Sequence, residues 1–212
     1  GLRRRGVPAL ALRNFASEET GVSKVNSVID IALLEYCTRQ VLDECSPRLM
    51  AVVDPIEVEI TNWPKDHVEE RKISMWPKNH PKSSAGNSTR NVPLSNRIYI
   101  ERSDFQEKAQ EGFKRLSPEQ SVRMRFGYNL QCKKIFKDDA GNIVKIQVNY
   151  DPDSGEGQDI AGFSPKGIIH WVDANNGKSA EFRIYDHLFQ LEDIDSDPEN
   201  RGFLDLLRKD SE

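Results

Sequence analysis

The sequence predicts an α+β fold that is mainly β, with helices first and antiparallel barrels after them. Helical spacing of apolar residues is confined to the first 47 of the 212 residues. The remainder carries about eight short runs of alternating or apolar residues, separated by turn-forming Gly, Pro, Asn and Asp. Many short strands at close spacing are typical of antiparallel barrels and not of a parallel sheet with crossover helices.

Two helices are predicted near the beginning of the chain. PALALRNFASE, at residues 8–18, places Pro8 in a first turn, where the N–H that proline lacks would be unpaired anyway. A stronger helix extends from Ser27, as N-cap, to about Glu44, and Pro47 ends it. Its apolar residues recur every four positions, at Ile29, Leu33, Cys37 and Val41.

Strands are predicted from residue 55 onward. PIEVEITN alternates apolar and polar residues with the period of a half-buried strand. Two longer runs flank DDAGN, whose composition indicates a hairpin turn. The runs we expect to form strands are PIEVEITN, KISMW, RIYIE, SVRMRFGYNLQCKKIF, GNIVKIQVNY, GIIHWV and AEFRIYDHLF.

Charge is segregated along the chain. The 30 Lys and Arg against 34 Asp and Glu give a formal net charge of −4, which argues against a general polyanion binder. Yet residues 111–137 carry seven cations against two acids, and residues 190–212 carry eight acids against three cations. A local basic surface on an acidic protein is therefore expected.

The sequence contains none of the motifs that mark common catalytic sites. Phosphate-binding loops, dinucleotide fingerprints and nucleophile elbows are missing, and the four His are scattered, so we expect no autonomous enzyme and no metal site. Cys37, Cys45 and Cys132 lack metal-ligand spacing and are expected to be free thiols in a reducing compartment. No membrane span or signal peptide is predicted, and an opening without Met indicates a fragment.

The stretch SVRMRF accounts for the basic region. Alternation places Arg123 and Arg125 on one strand face, with Val122, Met124 and Phe126 toward the core. Two guanidinium groups side by side on a strand form a donor array suited to phosphates or base edges. The alternative is a solvated strand face whose cations make only surface ion pairs.

Further cations lie close to this strand in sequence or at rigid junctions. Lys114 and Arg115 precede it in a loop. Arg48, in SPRLMAV, lies between a helix end and a strand, where it can aim at a ligand or cap the helix carbonyls.

Several of these stretches together resemble glutaminyl-tRNA synthetase downstream of its catalytic core. The matching elements are GLRRRG, LDECSPRLMAVVDP, NVPLSNRIYIERSDF, EGFKRL, SVRMRF, GIIHWV and RIYDHLF, in that order up to about residue 190. The resemblance implies a helical connector at 1–47 and two antiparallel anticodon-binding β-barrels, at 48–111 (incomplete) and 112–190. It implies that 191–212 is an acidic tail leading to further strands.

The resemblance also implies a tRNA-binding site. Arg48 would help to read the middle base of the anticodon, a U. Arg115, paired with Lys114, would face the last base, and Arg123 and Arg125 would hold the first base and its phosphates. Lys24 would approach the inner corner of the tRNA. Lys82 stands where the family has a polar amide, so its contact departs from the pattern.

The implied function is anticodon recognition for an enzyme that attaches glutamine to its tRNA. ATP and Mg would act in the missing catalytic domain, and no cofactor is expected in this part. We expect the tRNA for glutamine as partner, other synthetases or scaffold proteins as further partners, no membrane, and a cytoplasmic location. Two alternatives remain: the anticodon-binding region of a eukaryotic-type glutamyl-tRNA synthetase, and a non-catalytic β-barrel scaffold for protein contacts.

Overall fold

The computed structural model describes residues 1–21, 24, 28–84, 88–155, 164–185 and 187–208. The chain divides into two compact units, one formed by Gly1–Ser46 with Glu181–Glu212 and the other by Pro47–Ala180. The sequence-based boundary between residues 111 and 112 falls inside the second unit, and the division into two barrels stays a prediction.

Both predicted helices are present in the first unit. Helix α1 spans Ala9–Asn14 and continues as a π-helical turn over Phe15–Glu19, whereas α2 spans Ile31–Cys45. The helix α2 begins later than predicted because the Asp30 carboxylate accepts a hydrogen bond from the Ala32 N–H at 2.8 Å and forms the N-cap. The predicted cap, Ser27, lies outside the described residues.

The buried face of α2 differs slightly from the predicted one. Cys37 and Val41 are buried as expected, but Leu34 takes the place of Leu33. Ile29 precedes the helix and is exposed. The three cysteines are free thiols, as the sequence predicts.

Strands dominate the second unit. The strands are β1 (Pro55–Ile60), β2 (Glu69–Ser74), β3 (Thr89–Leu94), β4 (Arg97–Glu101), β5 (Val122–Met124), β6 (Asn129–Lys137), β7 (Ile143–Asp151), β8 (Ile168–Ile169) and β9 (Val172–Asp173). The limits of β1, β4 and β7 agree closely with the predicted runs, whereas β2 begins three residues before KISMW and β3 was not anticipated. The run from SVRMRF to KKIF and the run GIIHWV are each broken into two strands.

Seven strands form a curled half-barrel sheet in the order β8-β5-β6-β7-β1-β4-β9, and β2 and β3 form a separate two-stranded sheet. Most neighbours are antiparallel, but β1 pairs with β7 and β5 pairs with β8 in parallel. Hairpin spacing did not predict these two pairings, because it reports only strands that follow each other directly. Strands from both sides of residue 111 share this sheet.

The alternation of β1 is confirmed. Its polar face carries Glu57, paired with Arg97 at 2.7 Å, and Glu59, paired with Lys145 at 2.9 Å. The hydrogen bond from Arg97 lowers the pKa of Glu57, and hydrogen bonds from Gln147 and then Lys145 lower the pKa of Glu59. The opposite face of β1 buries Ile56, Val58 and Ile60 in the main core.

The predicted strand AEFRIYDHLF is wrong for the residues described. The structure assigns no strand to residues 180–185, where Phe182, Ile184 and Tyr185 are exposed. Only Phe189 forms a backbone bridge, with Leu207. An alternating pattern makes a strand only where a second strand pairs with it. Among the described residues, no helix has both the length and the apolar content to cross a membrane.

Candidate nucleic-acid interface

Arg115 is anchored at the point where its loop enters the core. The next residue, Leu116, is fully buried, and its N–H donates to the Asp104 carbonyl at 3.0 Å. Arg115 Nε donates to Asp104 Oδ1 at 3.1 Å, and Nη1 donates to the Lys114 carbonyl at 3.2 Å. With its side chain 42% exposed, Arg115 is held in place but remains within reach of a ligand.

Asp104 moderates the charge of Arg115. Burial raises the pKa of Asp104, and the neighbouring Arg115 cation opposes that rise without cancelling it. Burial therefore disfavours the charged form of Asp104. The same carboxylate nevertheless holds the Arg115 guanidinium in a fixed position, from which it could recognise an RNA base.

Gly167 connects this loop to strand β5. A Cβ atom at Gly167 would collide with the Lys114 carbonyl oxygen and would lie 3.1 Å from Arg115 Nη1. The Gly167 carbonyl in turn accepts a hydrogen bond from the Arg123 N–H at 2.9 Å. Only glycine allows this close approach, which brings the segment holding Lys114 and Arg115 next to the segment holding Arg123.

Strand β5 positions the other two predicted arginines. Arg123 is half-buried, and its Nε donates to Asn129 Oδ1 at 3.1 Å. Arg125 follows the end of the strand and is exposed. Its N–H donates to the Ile169 carbonyl at 2.7 Å, and its own carbonyl accepts from Trp171 Nε1 at 2.9 Å. The backbone that carries both arginines is thus fixed by the core.

Four predicted cations therefore meet around residues 167–169, and sequence reasoning missed a fifth. Lys166 is exposed and directly precedes Gly167, and its N–H donates to the Ser121 carbonyl at 2.9 Å. A lone lysine at the end of a loop gives no signal in the sequence. Lys166 lies beside the other cations because β8, which follows it directly, pairs with β5. We call this set the basic cluster: Lys114, Arg115, Arg123, Arg125 and Lys166.

Phe126 does not face the core, and this corrects the prediction from strand alternation. The Met124 N–H donates to the Tyr128 carbonyl at 2.8 Å and the Gly127 N–H to the Met124 carbonyl at 2.9 Å, so a turn follows β5. Phe126 lies in that turn with a φ of 60° and is 42% exposed. The strand ends before Phe126, so the two-residue period no longer applies to it.

Tyr128, by contrast, packs against the core. The Arg71 guanidinium lies over its ring at 4.3 Å, Arg71 Nη1 donates to the Gly155 carbonyl at 3.2 Å, and Arg71 Nε pairs with Glu69 at 2.8 Å. Tyr128 also donates its hydroxyl to Glu69 at 2.9 Å. Burial, followed by this hydrogen bond, raises the pKa of Tyr128 to about 12. These contacts connect the small sheet to the residue that directly precedes β6.

Arg48 and Lys82 each contact an aromatic loop, which contains Trp76 and His80, elsewhere in the second unit. Arg48 is exposed, and its N–H donates to the carbonyl of Met75, the residue before Trp76, at 2.8 Å. The Trp76 and His80 rings stack at 4.5 Å with an interplanar angle of 17°. Lys82 Nζ lies 4.7 Å from the centre of the Trp76 ring. Aromatic rings interleaved with cations are a common arrangement in RNA-binding surfaces.

Lys24 lies in the other unit. It is exposed, and its immediate neighbours in the chain lie outside the described residues. Its predicted role at the inner corner of a tRNA stays a prediction.

The arrangement of the basic cluster suits the binding of a negatively charged ligand. The basic cluster offers guanidinium and ammonium donors on a fixed backbone, which can bind phosphates and the acceptor edges of unpaired bases. Across the part of the chain that the structure describes, no group of three His, Cys, Asp or Glu side chains could hold a metal ion.

Two family models match the chain, and both describe the same function. Residues 46–151 match the anticodon-binding domain of class I tRNA synthetases for glutamate and glutamine (E and Q). Residues 168–212 match a second model with the same description. The first match contains Arg48, the aromatic loop and all of the basic cluster except Lys166.

Curated relatives match over nearly the whole chain. Glutamine–tRNA ligase of Rhodopirellula baltica is 41% identical over 211 residues, which cover 100% of this chain and 34% of that protein. The enzymes of the same name from Xylella fastidiosa and Pseudomonas putida are 41% and 39% identical, over 100% and 97% of this chain and 35% of each relative. The chain thus spans about a third of the length of the curated relatives it matches.

Proposed function

The chain belongs to the anticodon-binding region of the class I tRNA synthetases for glutamate and glutamine, and on this premise we propose that it binds the anticodon loop of the tRNA for glutamine. The observation that carries the proposal is the basic cluster, four of whose cations are also predicted from the sequence to bind tRNA. Gly167 joins their two segments by a backbone contact that no other residue would allow.

The position of Arg115 supports recognition of the last anticodon base. Anticodons for glutamine end in G, whereas those for glutamate end in C. Guanine presents the acceptors O6 and N7 to an arginine, whereas cytosine presents an amino donor that an arginine repels. Asp104 holds Arg115 by Nε, so a guanine could replace the Lys114 carbonyl at the outer end of the guanidinium. One good contact of this type discriminates by roughly 1–3 kcal/mol.

The remaining assignments follow the family pattern. Arg123 and Arg125 would hold the first base and its phosphates, and Arg48 the middle U. Lys82, which replaces a polar amide, would add an ammonium group next to the Trp76 ring. Lys24 would approach the inner corner of the tRNA. For the longer protein we propose attachment of glutamine to this tRNA with ATP, in the cytoplasm, and the free thiols support a reducing setting.

The test is binding of the chain to two RNA hairpins that differ only in the last anticodon base. We expect the hairpin ending in G to bind at least tenfold more tightly than the one ending in C. Fluorescence anisotropy over a salt series should give a steep dependence of affinity on ionic strength, because phosphate contacts release counterions.

Single-charge variants make this test specific. Arg115→Ala should remove most of the preference for G, and Arg123→Ala should weaken binding to both hairpins. Lys145→Ala is the matched control, since it also removes one positive charge but lies on the polar face of the sheet, beside Glu57 and Glu59. Tighter binding of the hairpin that ends in C would indicate that the chain recognises the tRNA for glutamate instead. Binding that none of the cluster variants changes would contradict the proposal.

A further inference from the structure

Phe126 is an apolar ring displayed at the tip of a turn, in a backbone conformation that phenylalanine rarely adopts. Its φ of 60° lies in the left-handed region, where the Cβ of a bulky residue is crowded by its own backbone. The side chain gains little burial in return, because 42% of the residue is exposed. Neither packing nor local preference accounts for a phenylalanine here.

The surrounding structure enforces this conformation. A Cβ at Gly127 would lie 2.8 Å from Met124 Cβ, so the backbone at residue 127 passes Met124 too closely for any side chain larger than that of glycine. The hydrogen bonds of Met124 and Gly127 close the turn, and those of Arg125 to Ile169 and Trp171 fix the residue before Phe126. Strained backbone that is held from all sides is concentrated at ligand-binding sites.

The neighbours of Phe126 indicate which ligand the ring meets. The Arg125 guanidinium lies 5.2 Å from the centre of the Phe126 ring, and Arg123 of the same basic cluster lies on the strand that leads into this turn. An exposed ring with an arginine beside it suits a flat ligand that carries negative charge next to its plane. An unpaired nucleotide has that composition, because its base can stack on the ring while its phosphate binds the arginine.

We propose that Phe126 is a stacking residue for one unpaired base of the anticodon loop, with Arg125 holding the adjoining phosphate. This inference rests on the proposed function and extends it. It assigns a base contact to a residue whose place in the sequence pattern indicated a core position.

The experiment uses the whole chain and anticodon hairpins carrying 2-aminopurine at successive loop positions. Stacking on an aromatic ring changes the fluorescence of 2-aminopurine, so one position should respond on binding. Phe126→Asn and Phe126→Gly remove the ring but accept a positive φ. We expect each to raise the Kd about tenfold and to abolish that response. We expect Phe126→Tyr to retain both binding and response.

A purely structural role would give a different pattern. Because Asn and Gly relieve the backbone strain, both variants should melt at or above the temperature of the unmodified chain, so weaker binding could not be ascribed to unfolding. Binding within twofold of the unmodified chain and an unchanged fluorescence response would overturn the stacking role. If Arg115→Ala still weakened binding in that case, the proposed function would be retained without the stacking role of Phe126. Failure of the unmodified chain to bind either hairpin would overturn both.

Discussion

Asp104 holds Arg115 at Nε through a 3.1 Å hydrogen bond, while 42% of the arginine side chain remains exposed. The same carboxylate thus positions the guanidinium and reduces its net attraction for an anion. A cation that is fixed in this way can distinguish ligands by geometry, whereas a free one would bind any phosphate.

Replacing Asp104 with Asn should separate affinity from selectivity. Loss of one negative charge beside Arg115 should tighten binding of both hairpins by about fivefold at low salt. The preference for a terminal G should fall, because the guanidinium is no longer held by a carboxylate. Anisotropy titrations with the two hairpins measure both quantities. Unchanged selectivity in Asp104→Asn would show that the negative charge of Asp104 is not needed to position Arg115.

Asp104 should also make stability depend on pH in the direction opposite to most carboxyl groups. Burial raises its pKa above the usual 3.8, so the folded chain binds this proton more tightly than the unfolded chain does. Its contribution to the free energy of unfolding is therefore present at low pH and is lost as pH rises through the raised pKa.

Urea titrations from about pH 3.5 to 5.5 can measure this effect as a difference between the unmodified chain and Asp104→Asn. The carboxyl groups of Asp138 and Asp197, whose pKa values are lowered, cancel because both proteins contain them. The charged or titratable groups near Asp104 are Arg115, His170 and Glu101. The unmodified chain should lose stability relative to the variant as pH rises, and a difference that does not vary with pH would refute the assignment.

Gly167→Ala should weaken both the fold and RNA binding. The added methyl group would collide with the Lys114 carbonyl, and such overpacking costs about 2 kcal/mol. Displacement of the Lys114 segment should also separate Arg115 from Arg123. Gly202→Ala is the control, since its Cβ would meet only Asp205 Oδ2 at an ordinary 3.5 Å. Chemical denaturation and hairpin binding should both be normal for this control.

Arg71→Ala should destabilise the second unit by about 2 kcal/mol. The side chain of Arg71 is 16% exposed, and its removal leaves Glu69 without its ion-pair partner and uncovers the Tyr128 ring. Its neighbour Lys72 is exposed, so Lys72→Ala should change the free energy of unfolding by less than about 0.5 kcal/mol. Equal effects of the two substitutions in urea denaturation would contradict this interpretation of the Arg71 contacts.

The elements predicted well from sequence are those whose partners are local or whose pattern is repeated. The alternation of Ile56, Val58 and Ile60 sufficed for β1, because one face of that strand is buried along its length. The DDAGN turn was predicted from its composition, and its contacts are local, since Asp138 accepts hydrogen bonds from Asn142 within the turn itself. Such signals depend on neighbouring residues only.

What the sequence did not reveal depends on distant residues. The exposure of Phe126 follows from a turn that Gly127 and Met124 impose, and alternation could not detect where the strand ends. The need for glycine at 167 comes from the Lys114 carbonyl, 53 residues earlier in the chain. Four of the five cations of the basic cluster were identified from their residue types and from a resemblance, but their mutual placement, and the presence of Lys166 among them, required the sheet.

The position of β1 between β4 and β7 has a consequence for how the protein is made. The parallel register pairs Glu57 with Lys145, so the partner strand on one side of β1 is translated long after β1 itself. At the usual 5–20 residues per second, a nascent chain would wait on the order of 5 to 20 s with that strand edge unpaired. Chaperones or the ribosome surface would have to shield it during this interval, and synonymous codons that slow elongation between β1 and β7 should increase misfolding.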